Sequence, residues 1–345
     1  MVRRILFASL ALAPIAIALH YLADLPETTE FVLSALALIP LAWLIGEATE
    51  HAAEHTGPGI GGFLNATFGN APELIIALIA VNEGLTEVVR GSLTGSVVSN
   101  LLLVLGASLV AGGRGALDRL SSFLSFGLIA LATALFLIPS IPGWDGEPDT
   151  RSLAVVSTAI SVALLVVYIA VTWYSLRRHY ARHVASDEEI RGWSLREALG
   201  ALAVATVATA LVAEILVGSL EVFAEKAGLS EFFVAAVIVA IVGNAAEHGG
   251  AVIVAFRGKI ALAGEIALSS AAQVAVFLIP AVALLSWLID PLSLSFRPVE
   301  IAALAGSVVF TAIVLYGGHS SRARGALLLA GYGMVVVAFF LAGDR

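Results

Sequence analysis

The chain has 345 residues, of which 59% are apolar and 13% charged, and it contains no cysteine. Soluble globular proteins run at roughly 45–50% apolar and about 25% charged. This composition and a mean hydropathy of +0.99 therefore exclude a soluble enzyme, a disordered chain and a disulfide scaffold. Eighteen basic against 26 acidic residues leave a net charge of −8, which argues against nucleic acid as a partner and leaves the lipid bilayer.

A helix crosses the ~30 Å hydrocarbon layer in about 20 apolar residues. In chain order such runs fall at 4–23, 29–50, 59–82, 87–111, 121–141, 151–175, 196–219, 230–256, 260–288, 299–317 and 325–343. The expectation is an all-α integral membrane protein of about 11 transmembrane helices. Breaks are marked by Asp24–Pro26, Gly57-Pro58-Gly59, Gly112-Gly113 and Gly317-Gly318. The first run, opening on Arg3 and Arg4, reads as a retained helix rather than a cleaved leader. A polar connection at 176–195 divides the chain. The units are 1–28 as an extra N-terminal helix, 29–175 as a first five-helix repeat, 176–195 as a cytoplasmic linker, and 196–345 as a second repeat.

With these spans, 13 of the 18 lysines and arginines lie in loops on the N-terminal side. Positive residues stay inside, so the N-terminus is expected in the cytoplasm and the C-terminus outside, in a bacterial or archaeal cell membrane. The sequence assigns no oligomeric state.

The two halves share polar positions at an offset of 174. Gly69-Asn70-Ala71-Pro72-Glu73 aligns with Gly243-Asn244-Ala245-Ala246-Glu247, Gly95–Ser99 with Ser269–Gln273, and Glu47 with Glu221. Five spans per unit is an odd number, so the second unit enters the bilayer from the opposite side. Inverted repeats of this kind are a transporter architecture with the substrate site near the midplane.

Glu73 and Glu247 fall well inside two antiparallel spans, where a carboxylate is costly and usually functional. Asn70 and Glu73 share a helix face, as do Asn244 and Glu247. Gly69 and Gly243 permit close approach or local unwinding, and Pro72 removes a backbone donor. Ser96, Ser99 and Asn100 form a polar patch on the next span, with Ser270 and Gln273 as its counterpart. Two carboxylates with neutral oxygens suit a hard cation such as Ca2+, which takes about 6–8 oxygen ligands; nitrogen and sulfur donors for zinc or copper are lacking. Without the metal, burial and mutual repulsion prevent both acids from staying ionised, so protons take its place. Ca2+ and H+ are then transported ions, with no cofactor and no catalytic group.

GIGGFLNATFGNAPELIIALIAV, GSLTGSVVSNLLLVLG and EFFVAAVIVAIVGNAAEHGGAVIVAF closely resemble the two signature repeats of the Ca2+/H+ antiporter family, within the cation/Ca2+ exchanger superfamily. The resemblance covers nearly the whole chain. It implies that Glu73 and Glu247 carry Ca2+ and protons, with Asn70, Asn244, Ser99, Asn100 and Gln273 beside them and His248 matching the histidine of GNAAEH. Two departures stand out. Ser269-Ser270-Ala271-Ala272-Gln273 replaces a Gly-Ser-Ala-Thr-Gln element, and the acidic stretch between the halves is reduced to Asp187-Glu188-Glu189.

Peripheral acids read as vestibules or solvated helix ends: Glu47, Glu50 and Glu54 at one mouth, Glu221 and Glu225 at the other. Glu214, deeper in its span, reads as a proton step or ligand, and His248 as a proton shuttle or a bundle hydrogen bond. His51-Ala52-Ala53-Glu54-His55 matches a metalloprotease pattern but has no repeat mate and no third ligand. Asp145-Gly146-Glu147-Pro148-Asp149 resembles only the start of a calcium loop and reads as an acidic outer loop. The main reading is a Ca2+/H+ antiporter. Its alternatives are a Na+/Ca2+ exchanger, a Mn2+/H+ antiporter and, from other classes, a cation channel or an intramembrane zinc protease.

Overall fold

The computed structural model describes residues 2–180 and 192–344, apart from the side chains of 2–4, 57–60, 62, 63, 65, 66 and 175–180. Short helices α1 (Val2–Ser9) and α2 (Leu12–Leu22) precede α3 (Glu27–Phe68), α4 (Ala71–Asn82) and α5 (Thr86–Val98). The last of these passes through a π-helical stretch, Ser99–Val104, into α6 (Leu105–Gly112). Helices α7 (Arg119–Trp144) and α8 (Arg151–Tyr180) complete the first half. The second half holds α9 (Leu195–Gly218), α10 (Leu220–Ala227), α11 (Glu231–Phe233), a π stretch at Val234–Val239, and α12 (Ala240–Gly243). It continues with α13 (Ala245–Phe256), α14 (Ile260–Gln273), a third π stretch at Val274–Leu278, α15 (Ile279–Leu285), α16 (Pro298–Val314) and α17 (Arg322–Ala342).

Among the described residues eight helical stretches are long and apolar enough to cross a membrane, or nine with α10 and Glu231–Gly243, bent by 109°, counted as one. The expected count of 11 is not reproduced, because the runs at 59–82, 230–256 and 299–317 do not form full-length helices. They yield the shorter apolar helices α4, α13 and α16, the first two preceded by backbone breaks. The break expected at Gly57-Pro58-Gly59 is also absent, and α3 stays helical through it to Phe68. A proline removes only its own N–H and is absorbed by a local kink. The interruption comes instead at 69–70.

The offset of 174 reappears in three dimensions. Helix α4 corresponds to α13 end for end, and α5 with its π stretch corresponds to α14 with its own. The correspondence fails upstream of the breaks. There α3 is one 42-residue helix, whereas its equivalent in the second half is divided among α9, α10, α11 and α12 by a turn in which Gly228 adopts φ +67. Counting short helices as crossings, contacts between connections join segments on a common side. Gly115–Ala116 pairs antiparallel with His319–Ser320, the Trp193 carbonyl meets His55, and Asp149 meets Arg90. The expected linker residues Arg182, Arg191 and Asp187-Glu188-Glu189 lie outside the described residues.

Helix α5 is the axis of the bundle. Every residue from Val88 to Val98 is buried, as a helix enclosed on all sides requires. Two glycines admit it: at Gly91 an added Cβ would meet the Phe232 ring, and at Gly95 it would lie 2.0 Å from the Ala236 carbonyl oxygen. Gly95→Ala is therefore expected to lower the melting temperature of the purified protein, since overpacking costs about 1–3 kcal/mol. Gly127→Ala, where a methyl meets open space, should leave it unchanged.

Candidate functional site

The site forms where two spans break. Helix α3 ends at Phe68 and α4 starts after Asn70 (φ −102, ψ 16); α12 ends at Gly243 and α13 starts after Asn244 (φ −92, ψ 9). Each asparagine carbonyl accepts the first backbone bond of the new helix, from Leu74 N–H at 3.0 Å and from His248 N–H at 2.9 Å. Pro72 lies in the first turn of α4, where its missing donor costs nothing. Glu73 and Glu247 each occupy the first turn of a new helix, and a carboxylate there complements the positive end of the helix dipole. The C-terminal ends of α3 and α12 bring carbonyl groups, a negative end that favours cations.

Side chains from the two halves are laced together. Asn244 Nδ2 donates to Ser96 Oγ at 2.9 Å and to its own helix at the Ala240 carbonyl, also at 2.9 Å. Asn100 Nδ2 donates to Ser270 Oγ at 3.1 Å, and Ser270 in turn donates to the Glu247 carboxylate. The Glu73 stem packs on Gly243, where an added Cβ would stand 3.2 Å from Glu73 Cγ.

Asn70, Glu73, Ser96, Ser99, Asn100, Asn244 and Ser270 are all buried. Among the described residues, Glu73 Oε2, Asn100 Oδ1 and Asn244 Oδ1 are buried oxygens that receive no hydrogen bond. Buried acceptors are normally satisfied, and unsatisfied oxygens from a carboxylate and two amides are the ligands a hard cation takes. A cavity of about 10 Å³ is lined by Glu73, Ile76, Ser92, Leu93, Ser96, Val239 and Ala240, room for about one water-sized occupant. Sequence reading missed Ser92, although it stands one helical turn before Ser96 on the same face.

Other expected residues have different surroundings. The Ser99 hydroxyl donates to its own helix, to the Ser96 carbonyl at 3.1 Å. Gln273, half-buried, ends α14 one turn beyond Ser270, and Gly69 occupies the break before α4. His248 is half-buried with a buried Nε2 that has no partner among the described residues. Glu214 is exposed, on a stripe of α9 with Leu211 and Gly218. The helix turns Val212, Ala213 and Leu216 inward and leaves Glu214, expected deeper in its span as a proton step or ligand, on the exposed face.

Glu50, Glu54 and Glu221 are exposed, and Glu47 is half-buried. His51 stands 3.9 Å from Glu47 and 3.4 Å from Glu54, while His55 is 2.8 Å from the Trp193 carbonyl. The two histidines of the protease-like pattern thus take different partners. Asp149, from the acidic outer loop, pairs with Arg90 at 2.7 Å.

Two broken helices, each carrying an acid in the first turn after its break, thus lie on a nearly all-helical scaffold whose spans are apolar enough to cross a membrane. The sodium/calcium exchanger protein family matches residues 28–177 and 197–341, and the chain belongs to that family. A Ca(2+)/H(+) antiporter of Synechocystis sp. is 37% identical over 362 residues, covering 98% of this chain and 97% of that protein. The Ca(2+)/H(+) antiporter ChaA of Bacillus subtilis is 38% identical over 328 residues, covering 92% and 93%. The solved structure of native YfkE superposes with a TM-score of 0.84 at 34% identity, covering 97% of this chain and 99% of that one. The H+/Ca2+ exchanger CAX shares the fold at a TM-score of 0.75 and 17% identity, covering 99% and 92%.

Ser270 links Asn100 to Glu247, so Ser270→Ala leaves a buried donor and a carboxylate oxygen unpaired, at about 1–3 kcal/mol. A clear fall in melting temperature is expected. Ser269→Ala, which loses only a bond to its own helix at Ile266, should show little change.

Proposed function

We propose that the protein is a secondary antiporter that exchanges Ca2+ for H+, with Glu73 and Glu247 binding either one Ca2+ or protons. The observation that carries this reading is the donor set. Carboxylate, amide and hydroxyl groups from both halves are laced together around the two breaks, and buried oxygens of Glu73, Asn100 and Asn244 lack donors among the described residues. The printed functions of the relatives from Synechocystis and Bacillus support the same ion pair.

Two negative charges neutralise a divalent cation. When it leaves, repulsion between buried acids favours uptake of protons, and competition for the same oxygens couples the two flows. Two protons per Ca2+ would move no net charge. Each further proton would add about 2.3 kcal/mol per 100 mV.

In this reading 29–175 and 196–345 are the inverted units and 1–28 is an added helix. The N-terminus is cytoplasmic and the C-terminus outside, in the cell membrane. Glu47, Glu50 and Glu54 form a cation-concentrating mouth on the inner side and Glu221 part of one on the outer side. Asn70 and Asn244 occupy the positions beside the acids where hydroxyls would suit sodium, which favours protons as the counter-ion over the Na+/Ca2+ alternative.

Sealed proteoliposomes should accumulate 45Ca when a pH gradient is imposed, and a sodium gradient at uniform pH should drive none. Glu73→Gln and Glu247→Gln should each reduce uptake to background. Excess Mn2+ tests selectivity by competition. Sodium-driven uptake at uniform pH would replace the proton by sodium, and uptake without a second gradient would indicate a channel.

A further inference from the structure

Helix α5 carries Ser92, Ser96 and, through its π stretch, Asn100 to the ion site. Apolar packing on every side confines it laterally but gives weak control of its height and rotation, because dispersion contacts are short-ranged and non-directional. Directional contacts outside the ion site hold its N-terminal end. The Arg90 guanidinium, 2% exposed, forms a two-pronged bond to Asp149, with Nη1 2.7 Å from Oδ1 and Nη2 3.2 Å from Oδ2. Asp149 also accepts from Thr86 at 3.0 Å and Ser293 at 3.3 Å. One turn further along, Thr94 donates to Glu300 Oε1 at 3.2 Å. The other oxygen of Glu300 accepts the Arg297 backbone N–H at 2.7 Å, which fixes the carboxylate at the start of α16.

We propose that Arg90, held by Asp149, and Thr94, held by Glu300, are positioning residues of the ion site: they set α5 at the height and rotation where Ser96 meets Asn244 and Asn100 meets Ser270. The brace reaches both halves, since Asp149 precedes α8 and Glu300 belongs to α16. It has no repeat equivalent: at the offset of 174, Arg90 falls on Gly264 and Thr94 on Leu268. Planar, two-pronged bonding is a property of arginine that lysine lacks. Burial alone would push the Asp149 carboxyl up; the Arg90 hydrogen bond and charge outweigh it and hold it below the usual carboxylate range. The pair therefore stays ionised on the mildly acidic side of a proton gradient.

This inference rests on the Ca2+ reading of the site, and equilibrium 45Ca binding to the purified full-length protein tests it without requiring proton coupling. Arg90→Lys and Asp149→Asn should each weaken Ca2+ binding about tenfold, and the double variant should bind no more weakly than either single, the signature of one shared interaction. Thr94→Val should weaken binding by a smaller factor. Trp287→Phe, which removes the bond to Thr158 on α8 and weakens the seat of the Arg151 guanidinium on the Trp287 ring, serves as a destabilised control and should keep the parent affinity at a similarly lowered melting temperature. Unchanged Ca2+ affinity in Arg90→Lys and Asp149→Asn would overturn the brace. So would an equal loss in Trp287→Phe, because affinity would then follow general stability. A parent protein that binds no Ca2+ would overturn the Ca2+ reading and the brace with it, whereas Ca2+ binding without pH-driven transport would remove only the proton half of the proposed function.

Discussion

Two carboxylates set among apolar helices, each in the first turn after a helix break, set the terms for what surrounds them. An acid placed there must find positive potential and oriented dipoles, because lipid supplies neither water nor counter-ions. The chain meets this requirement by breaking two spans at the residues next to the acids. Asn70 and Asn244 each start a new helix whose positive end faces Glu73 or Glu247. The amide and hydroxyl groups of Asn244, Ser96, Asn100 and Ser270 then cross-link the halves around the acids. Both features also suit a cation: the preceding helices point their carbonyl ends inward, and buried oxygens on Glu73, Asn100 and Asn244 lack donors among the described residues.

The two halves are alike from the helix breaks onward and unlike upstream of them. Helices α4 and α13 match end for end, and both second-span helices pass through a π stretch, which includes Ser99 and Asn100 in the first half and follows Gln273 in the second. A π insertion adds a residue to one turn and re-aims the side chains around it, and Asn100 lies within such a turn. Upstream, α3 is unbroken while its counterpart bends by 109° at the Gly228 turn. In the inverted-repeat reading proposed above, such a difference between related units is what would leave the two faces of the membrane unequally open. The brace at Arg90 and Glu300 adds a further asymmetry, since only α5 possesses it.

Much of this was legible in the sequence. Spans of about 20 apolar residues, the doubled Gly-Asn-x-x-Glu at one offset, and the serines one helix further on are local patterns, and local patterns record which residues share a helix face. The same logic gave a wrong break at Gly57-Pro58-Gly59, because a proline's local penalty can be absorbed by packing that a sequence does not display. Depth along the span suggested Glu214 as a proton step or ligand, and only its position around α9 shows that it is exposed. The acidic loop at 145–149 shows what spacing alone does not display: the fold brings Asp149 to a buried arginine 59 residues away.

The amino-acid sequence by itself determined the membrane class, the repeat, the two acids and their asparagine neighbours, because each depends on hydropathy or on spacing within a single helix. Only the tertiary structure decided that Asn244 reaches Ser96, that Ser270 joins Asn100 to Glu247, that Ser92 lines the cavity, and that α5 is braced by Asp149 and Glu300. Those contacts span up to 206 residues. They exist because helices chosen locally for their apolar faces must share one interior, and which polar atoms then meet is settled by how the helices pack rather than by what any one of them contains.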